Sequence, residues 1–348
     1  MFINDVFITL AILGDILLIY QIVQEQKNLY PKVRELKEYP SVSIVVPKKG
    51  YDPDFCVNMK SLLEQDYPGK YEVIYVIDDP VEDCIWNQRV KVLRTEDTCL
   101  MCSGKIRSQL TGLKYASGEV IAFADSDTFY PKNWLKDSVA LLQDYDAVTT
   151  FSWPKPVRVT LKNLVRAGFW TLGFESQFSQ GSRFLWGGSM VLKRSFFTKD
   201  VVDELSREWC DDCTLTRVLK REGKRIAFSI DIEPLNYYDE VDMLQWMKRQ
   251  ILTVKKYSPR GAKAFLFVGA ILLAMLVYSI IFLNAITFSP FLLWFVKNVL
   301  RGWKYKGLAI VAALMSVISL PFTFVMLVIN WNRKEVLWRG VTYSLEKY

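Results

Sequence analysis

Between residues 41 and 124, short runs of β-branched and aromatic residues alternate with stretches of helical period. SVSIVVP reads as a buried strand and the segment from Phe55 to Gln65 as a helix. YEVIYVID and RVKVLR are two further strands, Lys105 to Ala116 a helix, and EVIAFAD the strand that follows it. Near-continuous apolar strands alternating with amphipathic helices require a mainly parallel sheet covered on both faces. Open sheets of this kind bind ligands at the carboxyl ends of their strands. Pro47, Asp78, Asp79, Asp125 and Asp127 all stand at such ends, so one crevice is expected to collect them.

Apolar runs of membrane-spanning length flank this region. Residues Phe2 to Val23 are apolar apart mainly from Asn4, Asp5 and Asp15, with no basic leader or small-residue cleavage site, and read as a retained anchor. Lys27, Lys32 and Arg34 follow it, which predicts a cytoplasmic catalytic domain in an integral protein of the cell membrane. Asp15 either pairs with another helix or reaches the edge of the span. A second apolar run from Ala262 to Val296 is too long for one comfortable span, and Asn284 and Pro290 mark its expected break. A last span is expected over Leu308 to Ile329; Lys297, Arg301, Lys304 and Lys306 favour a cytoplasmic connection before it, and Arg333, Lys334 and Arg339 of the tail claim the same side, which leaves the topology open. The resulting plan is an anchor at 1–26, an α/β catalytic domain at 40–232, interfacial helices at 233–261, transmembrane helices at 262–331 and a tail at 332–348. The aromatic stretch between Trp153 and Trp186 reads either as a segment lying in the bilayer interface or as a buried cluster.

The 348 residues contain no histidine. Serine–histidine triads, histidine-ligated zinc and histidine bases are therefore excluded, leaving carboxylates and lysine for proton transfer. The charge of +7 is spread without long basic runs, which suits anionic headgroups and diphosphates and speaks against nucleic acid. The six cysteines include two C-x-x-C pairs, Cys99/Cys102 and Cys210/Cys213. Reduced thiols are expected in a cytoplasm-facing domain, with zinc or disulfides as alternatives.

Two acidic clusters carry the chemistry. Asp125-Ser126-Asp127 closes an apolar strand, and carboxylates one residue apart at a strand end suit a divalent cation holding a diphosphate. Asp211-Asp212 opens a helix, where a carboxylate can serve as a general base or simply cap the helix. Gly187 and Gly188 permit close backbone approach to a ligand, and Trp186 offers a flat face for a sugar.

In chain order, VSIVVPKKGYDPDF, LLEQDYPGKYEV, IDDP, SGK, ADSD, FLWGGSMVLKR, DDCTLTRVLKREG, WMKRQ and WRGVTY form a set of motifs. This set resembles ceramide glucosyltransferases and their prokaryotic relatives among inverting membrane glycosyltransferases of the family-two and family-21 type. The resemblance runs from about Pro40 to Tyr343. It implies a GT-A, Rossmann-like domain with N- and C-terminal transmembrane helices. It further implies transfer of a hexose, most plausibly glucose from UDP-glucose, to a lipid hydroxyl with inversion.

Carried over position by position, the resemblance puts Pro47, Lys49, Asp78, Asp79 and Lys105 on the donor. Asp125 and Asp127 would hold Mg²⁺ or Mn²⁺ against the diphosphate, and Asp212 would be the base. Trp186, Gly187, Gly188, Asp211 and Gln250 would lie on the acceptor side. WMKRQ departs from the Gln/Arg-x-x-Arg-Trp pattern: only Arg249 stands in place, suited to diphosphate oxygens, while Gln250 replaces the tryptophan. That change argues against a polysaccharide synthase that elongates and translocates its product. A polyprenyl-phosphate sugar synthase is the other alternative.

Overall fold

The computed structural model describes residues 2–52, 54–78, 84, 90–99, 101–302, 307–338 and 340–346. The chain divides into two compact units. One comprises Met1–Lys27, Arg158–Phe178 and Asp239–Tyr348, and the other Asn28–Val157 and Ser179–Tyr238.

The second unit is the α/β domain. Its strands β1 (Val42–Lys48), β2 (Tyr71–Ile77), β3 (Val90–Arg94), β4 (Val120–Ala124), β6 (Ala147–Thr149), β8 (Ser189–Lys193) and β9 (Ile226–Phe228) form one sheet. The order is β3-β2-β1-β4-β8-β6-β9. Strands β1 to β4 run parallel, and β8 is antiparallel to both β4 and β6. Successive residues of β1 point to opposite faces, and both faces are covered. Ile44 and Val46 join a cluster with Phe55, Leu62, Trp134 and Leu135 from α2 (Phe55–Leu63) and α4 (Trp134–Leu141). Val45 faces the other way, in a cluster with Ile106 and Leu110 of α3 (Gly104–Tyr115) and Leu215 and Val218 of α7 (Asp211–Arg221). The uninterrupted apolar reading of VSIVV is the signature of this double burial. Ser103 starts α3 by accepting a hydrogen bond from the Ile106 amide at 3.2 Å. A smaller sheet, β5 (Thr128–Phe129), β10 (Leu235–Tyr238) and β7 (Trp153–Pro156), is ordered β5-β10-β7. It was not foreseen from the sequence. It fixes the segment after β4 through the Tyr237 amide, which donates to the Asp127 carbonyl at 2.8 Å.

The first unit is helical. Its long elements are α1 (Phe2–Asn28), α9 (Pro259–Ile281), α10 (Ala285–Arg301) and α11 (Gly307–Ile329). Helices α1 and α9 are long and apolar enough to cross a membrane. At about 1.5 Å per residue, the 23 residues of α9 reach about 35 Å. The long apolar run breaks where Asn284 accepts from the Ile286 and Thr287 amides and caps α10. Asp15 does pair with another helix, accepting from the Ser289 hydroxyl.

Lys297 and Arg301, read from the sequence as favouring a cytoplasmic connection, do not face solvent. Both are buried, and they pair with Glu25 of α1 and with Glu175 of the short turn Leu172–Ser176. Lys304 and Lys306 lie outside the described residues. The helix α5 (Leu161–Thr171), in the middle of the aromatic stretch, belongs to this unit, while Trp153 and Trp186 belong to the α/β domain. The tail is a hairpin of β11 (Glu335–Trp338) and β12 (Val341–Ser344).

All six cysteines are paired, as Cys56–Cys84, Cys99–Cys102 and Cys210–Cys213. Reduced thiols were the expectation. Backbone separations of 5.4–5.8 Å place each pair within disulfide reach, a distance that sequence spacing does not reveal.

Candidate active site

The site grows from the end of β4. Burial of VIAFA carries the strand through the core, and Asp125 is the first residue past it. Its backbone is held on two sides: Asn58 donates to the Asp125 carbonyl at 2.9 Å, and the Asp125 amide donates to the Tyr130 hydroxyl at 2.8 Å. The buried Tyr75 hydroxyl in turn donates to Asn58 Oδ1 at 2.7 Å, and Tyr130 donates to the Gly188 carbonyl. Ser126 donates to the buried carboxylate of Asp52. These polar groups lie in or beside the apolar core, where each needs a partner. Together they leave the Asp125-Ser126-Asp127 backbone little freedom to move.

Lys105, at the start of α3, is the electrostatic centre. Its ammonium lies 2.9 Å from Asp125 Oδ1, 3.2 Å from Asp211 Oδ2 and 3.2 Å from the Gly187 carbonyl. Burial works against its charge, but Asp125 first and then Asp211 and Asp212 outweigh it and hold the pKa above its ordinary value. Asp211 is buried at the start of α7 and also accepts from Gln109 at 2.7 Å. Thus Lys105 joins two acidic clusters that are far apart in the chain.

Asp212 takes a different role from its neighbour. Its Oδ2 accepts from the Gly187 amide at 2.9 Å and its Oδ1 from the Cys213 amide at 2.8 Å. Burial and the adjacent Asp211 push its pKa up to about 7, against the pull of Lys105 and the two amides. A carboxylate poised there is suited to general base chemistry near neutrality. The charged form is lost as pH falls through about 7, so transfer is expected to drop tenfold per pH unit below that value and level off above it. A profile of kcat/KM between about pH 5.5 and 9 checks this.

A side chain at either glycine would crowd the charged groups of the site. A Cβ on Gly188 would lie 2.8 Å from Asp125 Oδ2, and one on Gly187 would lie 3.0 Å from Asp212 Oδ2 and 3.1 Å from the Lys105 ammonium. Gly188→Ala is expected to fold but to displace the Asp125 carboxylate, weakening donor binding about tenfold. Titration of the folded variant with a nucleotide sugar and Mn²⁺ measures it.

The remaining residues expected from the sequence fall into three groups. Pro47 and Lys48 end β1, but Lys48 is the buried lysine, reaching the Gly50 carbonyl at 3.0 Å and the Phe55 ring, while Lys49 is exposed. Asp78 is exposed at the end of β2, its amide donating to the Lys48 carbonyl, and Asp79 lies outside the described residues. Trp186 packs against Phe151 and Phe184 beside the glycines. Arg249 and Gln250 sit in α8 (Met243–Tyr257) of the helical unit, where Arg249 stacks on Trp338. Trp246 of the same helix is a core residue, packed against Phe169, Trp170 and the Arg166 guanidinium.

Sequence reasoning missed Asn58, Tyr75, Gln109, Tyr130 and Lys48. A usable signal existed for two of them. Asn58 lies on the apolar side of FCVNMKSLL and Tyr75 inside an apolar strand, where burial demands hydrogen-bond partners.

Asp125 and Asp127 supply hard oxygen donors at a fixed strand end, and Gly188 keeps open the space in front of Asp125 Oδ2. The set fits Mg²⁺ or Mn²⁺. A sheet with parallel β1 to β4, an antiparallel β8, a rigid Asp-x-Asp end and a separate carboxylate near neutrality defines the catalytic domain of a GT-A glycosyltransferase. The chain belongs to glycosyl transferase family 21, whose family model matches residues 6–348.

Among curated proteins, the chain is similar to the UDP-Glc:alpha-D-GlcNAc-diphosphoundecaprenol beta-1,3-glucosyltransferase WfgD of Escherichia coli. The two are 33% identical over 107 residues, covering 29% of this chain and 40% of that protein. An N-acetylglucosaminyltransferase of Bradyrhizobium elkanii is 29% identical over 113 residues, covering 31% of this chain and 62% of that protein. The matched region thus spans less than two thirds of either relative. Among solved structures, the mannosyltransferase PcManGT from Pyrobaculum calidifontis, in complex with GDP-Man and Mn²⁺, gives a TM-score of 0.49 at 16% identity. That match covers 94% of this chain and 87% of the mannosyltransferase.

Proposed function

We propose that the protein is a membrane-anchored inverting glycosyltransferase that moves a hexose, glucose from UDP-glucose, to the hydroxyl of a lipid acceptor. The observation that carries this reading is the meeting of two carboxylate sets at Lys105, 2.9 Å from Asp125 and 3.2 Å from Asp211, beside Asp212 with its pKa pushed up to about 7. Asp125 and Asp127 would face the donor's diphosphate, and Asp212 would serve as the base. Asp125 and Asp127 would hold Mg²⁺ or Mn²⁺, which when bound neutralises charge developing on the diphosphate leaving group.

The protein groups perform the rest. Asp212 accepts the proton of the acceptor hydroxyl as that oxygen attacks the anomeric carbon from the side opposite the diphosphate. The Gly187 and Cys213 amides hold its carboxylate in place during attack. Lys105 pairs with the carboxylates of Asp125 and Asp211, which leaves Asp212 as the carboxylate of the cluster that is not directly paired with it. Trp186 presents a flat apolar surface beside the glycines for a sugar or acceptor. Arg249 is assigned to the diphosphate and Gln250 to the acceptor by position in the WMKRQ segment. Helices α1 and α9 would anchor the chain with the catalytic domain on the cytoplasmic side.

A raised base favours an acceptor that must lose a proton. A phosphate acceptor, already an anion, needs no such help, which sets the polyprenyl-phosphate alternative apart. The test is product analysis with the full chain in lipid, Mn²⁺ and a panel of radiolabelled nucleotide sugars. The reading expects a singly glycosylated lipid that survives mild acid. An acid-labile product would show a sugar phosphate and overturn the hydroxyl acceptor.

A further inference from the structure

The sequence Cys210-Asp211-Asp212-Cys213 places a sulfur on each side of the proposed base. Among the described residues, the ligand atoms of Cys210, Asp212 and Cys213 form a cluster in which all lie within 4.8 Å of one another. The Cys210 sulfur is 2.9 Å from Asp212 Oδ1, the same oxygen that accepts from the Cys213 amide. The two sulfurs are bonded to each other, with their Cα atoms 5.4 Å apart. A disulfide sulfur has no proton to donate, whereas a thiol at that position does.

We propose that Cys210 and Cys213 form a reversible thiol–disulfide site that controls Asp212: the dithiol gives the carboxylate a third hydrogen-bond donor and the disulfide removes it. This rests on the assignment of Asp212 as the base. Among the described residues, the other two pairs show no such contact. Cys99 and Cys102 lie in the apolar cluster under α3, and Cys56–Cys84 ties α2 to the segment after β2.

The reduction balances with a dithiol as co-reactant. One thiolate of the reductant attacks Sγ of Cys213, the less buried of the two cysteines. The S–S bond breaks and its electron pair leaves on Cys210, which takes up a proton. The second sulfur of the reductant then attacks the first and releases Cys213, which takes up the second proton. The protein gains two electrons and two protons, and the reductant becomes a cyclic disulfide. The new Cys210 S–H faces Asp212 Oδ1. A hydrogen bond to the ionised form favours that form, so the reduced enzyme holds more of its base ready at neutral pH. The charged groups facing Asp212 are Asp211 on its own helix and Lys105 from α3, with Asp125 of the β4 end behind Lys105.

The test uses the full chain in lipid with Mn²⁺, poised with mixtures of reduced and oxidised dithiothreitol. Transfer is expected to be about threefold faster at the reducing end near pH 6.5, the gain that a lowering of about one pH unit gives a base that titrates near 7, with the acid limb of the profile moved to lower pH and donor affinity unchanged. Differential alkylation with mass spectrometry follows each pair, and the rate should track Cys210–Cys213. Cys213→Ser should remove the response, while Cys99→Ser should keep it. A rate that ignores the state of this pair, a pair that never changes state, or a response that survives Cys213→Ser would overturn the proposal. Asp212→Asn run in the same assay separates the two readings. If it transfers sugar normally, the base assignment fails. If it is inactive and the parent is indifferent to redox poise, only the thiol site fails.

Discussion

Asp212→Asn is expected to lower sugar transfer about a thousandfold while donor affinity stays within about twofold. The amide side chain keeps the size of the carboxylate, and its oxygen can still accept from the Gly187 or Cys213 amide. What it loses is the ability to take a proton, and no histidine exists anywhere in the chain to substitute. Asp211 is a poor replacement, because its Oδ2 is already engaged by Lys105 and Gln109. The loss should therefore appear in kcat alone, and the pH dependence below about 7 should disappear with it. Steady-state kinetics with parallel donor titration read both quantities. Turnover equal to the parent's would remove Asp212 from the mechanism.

The second large effect is expected at Asp127. Asp127→Asn should raise the Mn²⁺ requirement and cut kcat/KM about a hundredfold, with donor binding weakened in the presence of metal and little changed in its absence. The Asp127 backbone is fixed by the Tyr237 amide and the Asp125 backbone by Asn58 and Tyr130, so the variant should keep the native strand end. Asp125 is a less clean choice for the experiment. Its carboxylate also pairs with Lys105, and its loss would disturb Asp211 and Asp212 through that ammonium. Isothermal titration with a nucleotide sugar, with and without Mn²⁺, distinguishes a metal-dependent loss from general misfolding.

The parallel half of the sheet was legible because its strands are buried on both faces and read as unbroken apolar runs; β1, β2, β3 and β4 fall where the sequence put them. Asp125, Lys105, Asp211, Asp212, Gly187 and Gly188, each singled out in the sequence, come together in one place. The choice between Lys48 and Lys49 was not legible. It depends on strand parity, and β1 runs one residue past Pro47, which turns Lys48 inward and Lys49 out.

The burial of Lys297 and Arg301 in α10 was not legible from charge alone. It depends on Glu25 and Glu175, 272 and 126 residues away from them respectively, which pair with them. Pairings over such separations leave no local pattern. The same holds for the small sheet, whose strands come from three distant segments of two to four residues. It also holds for Cys56–Cys84, which has no C-x-x-C spacing to announce it.

The central claim is a single displacement in which Asp212 deprotonates a lipid hydroxyl as it attacks the sugar. The most direct measurement is the anomeric configuration of the transferred sugar, read by proton NMR on product made from an α-linked nucleotide sugar. One displacement predicts a β-linked lipid product. An α-linked product would require retention, which a lone base at Asp212 does not provide, and would contradict the account.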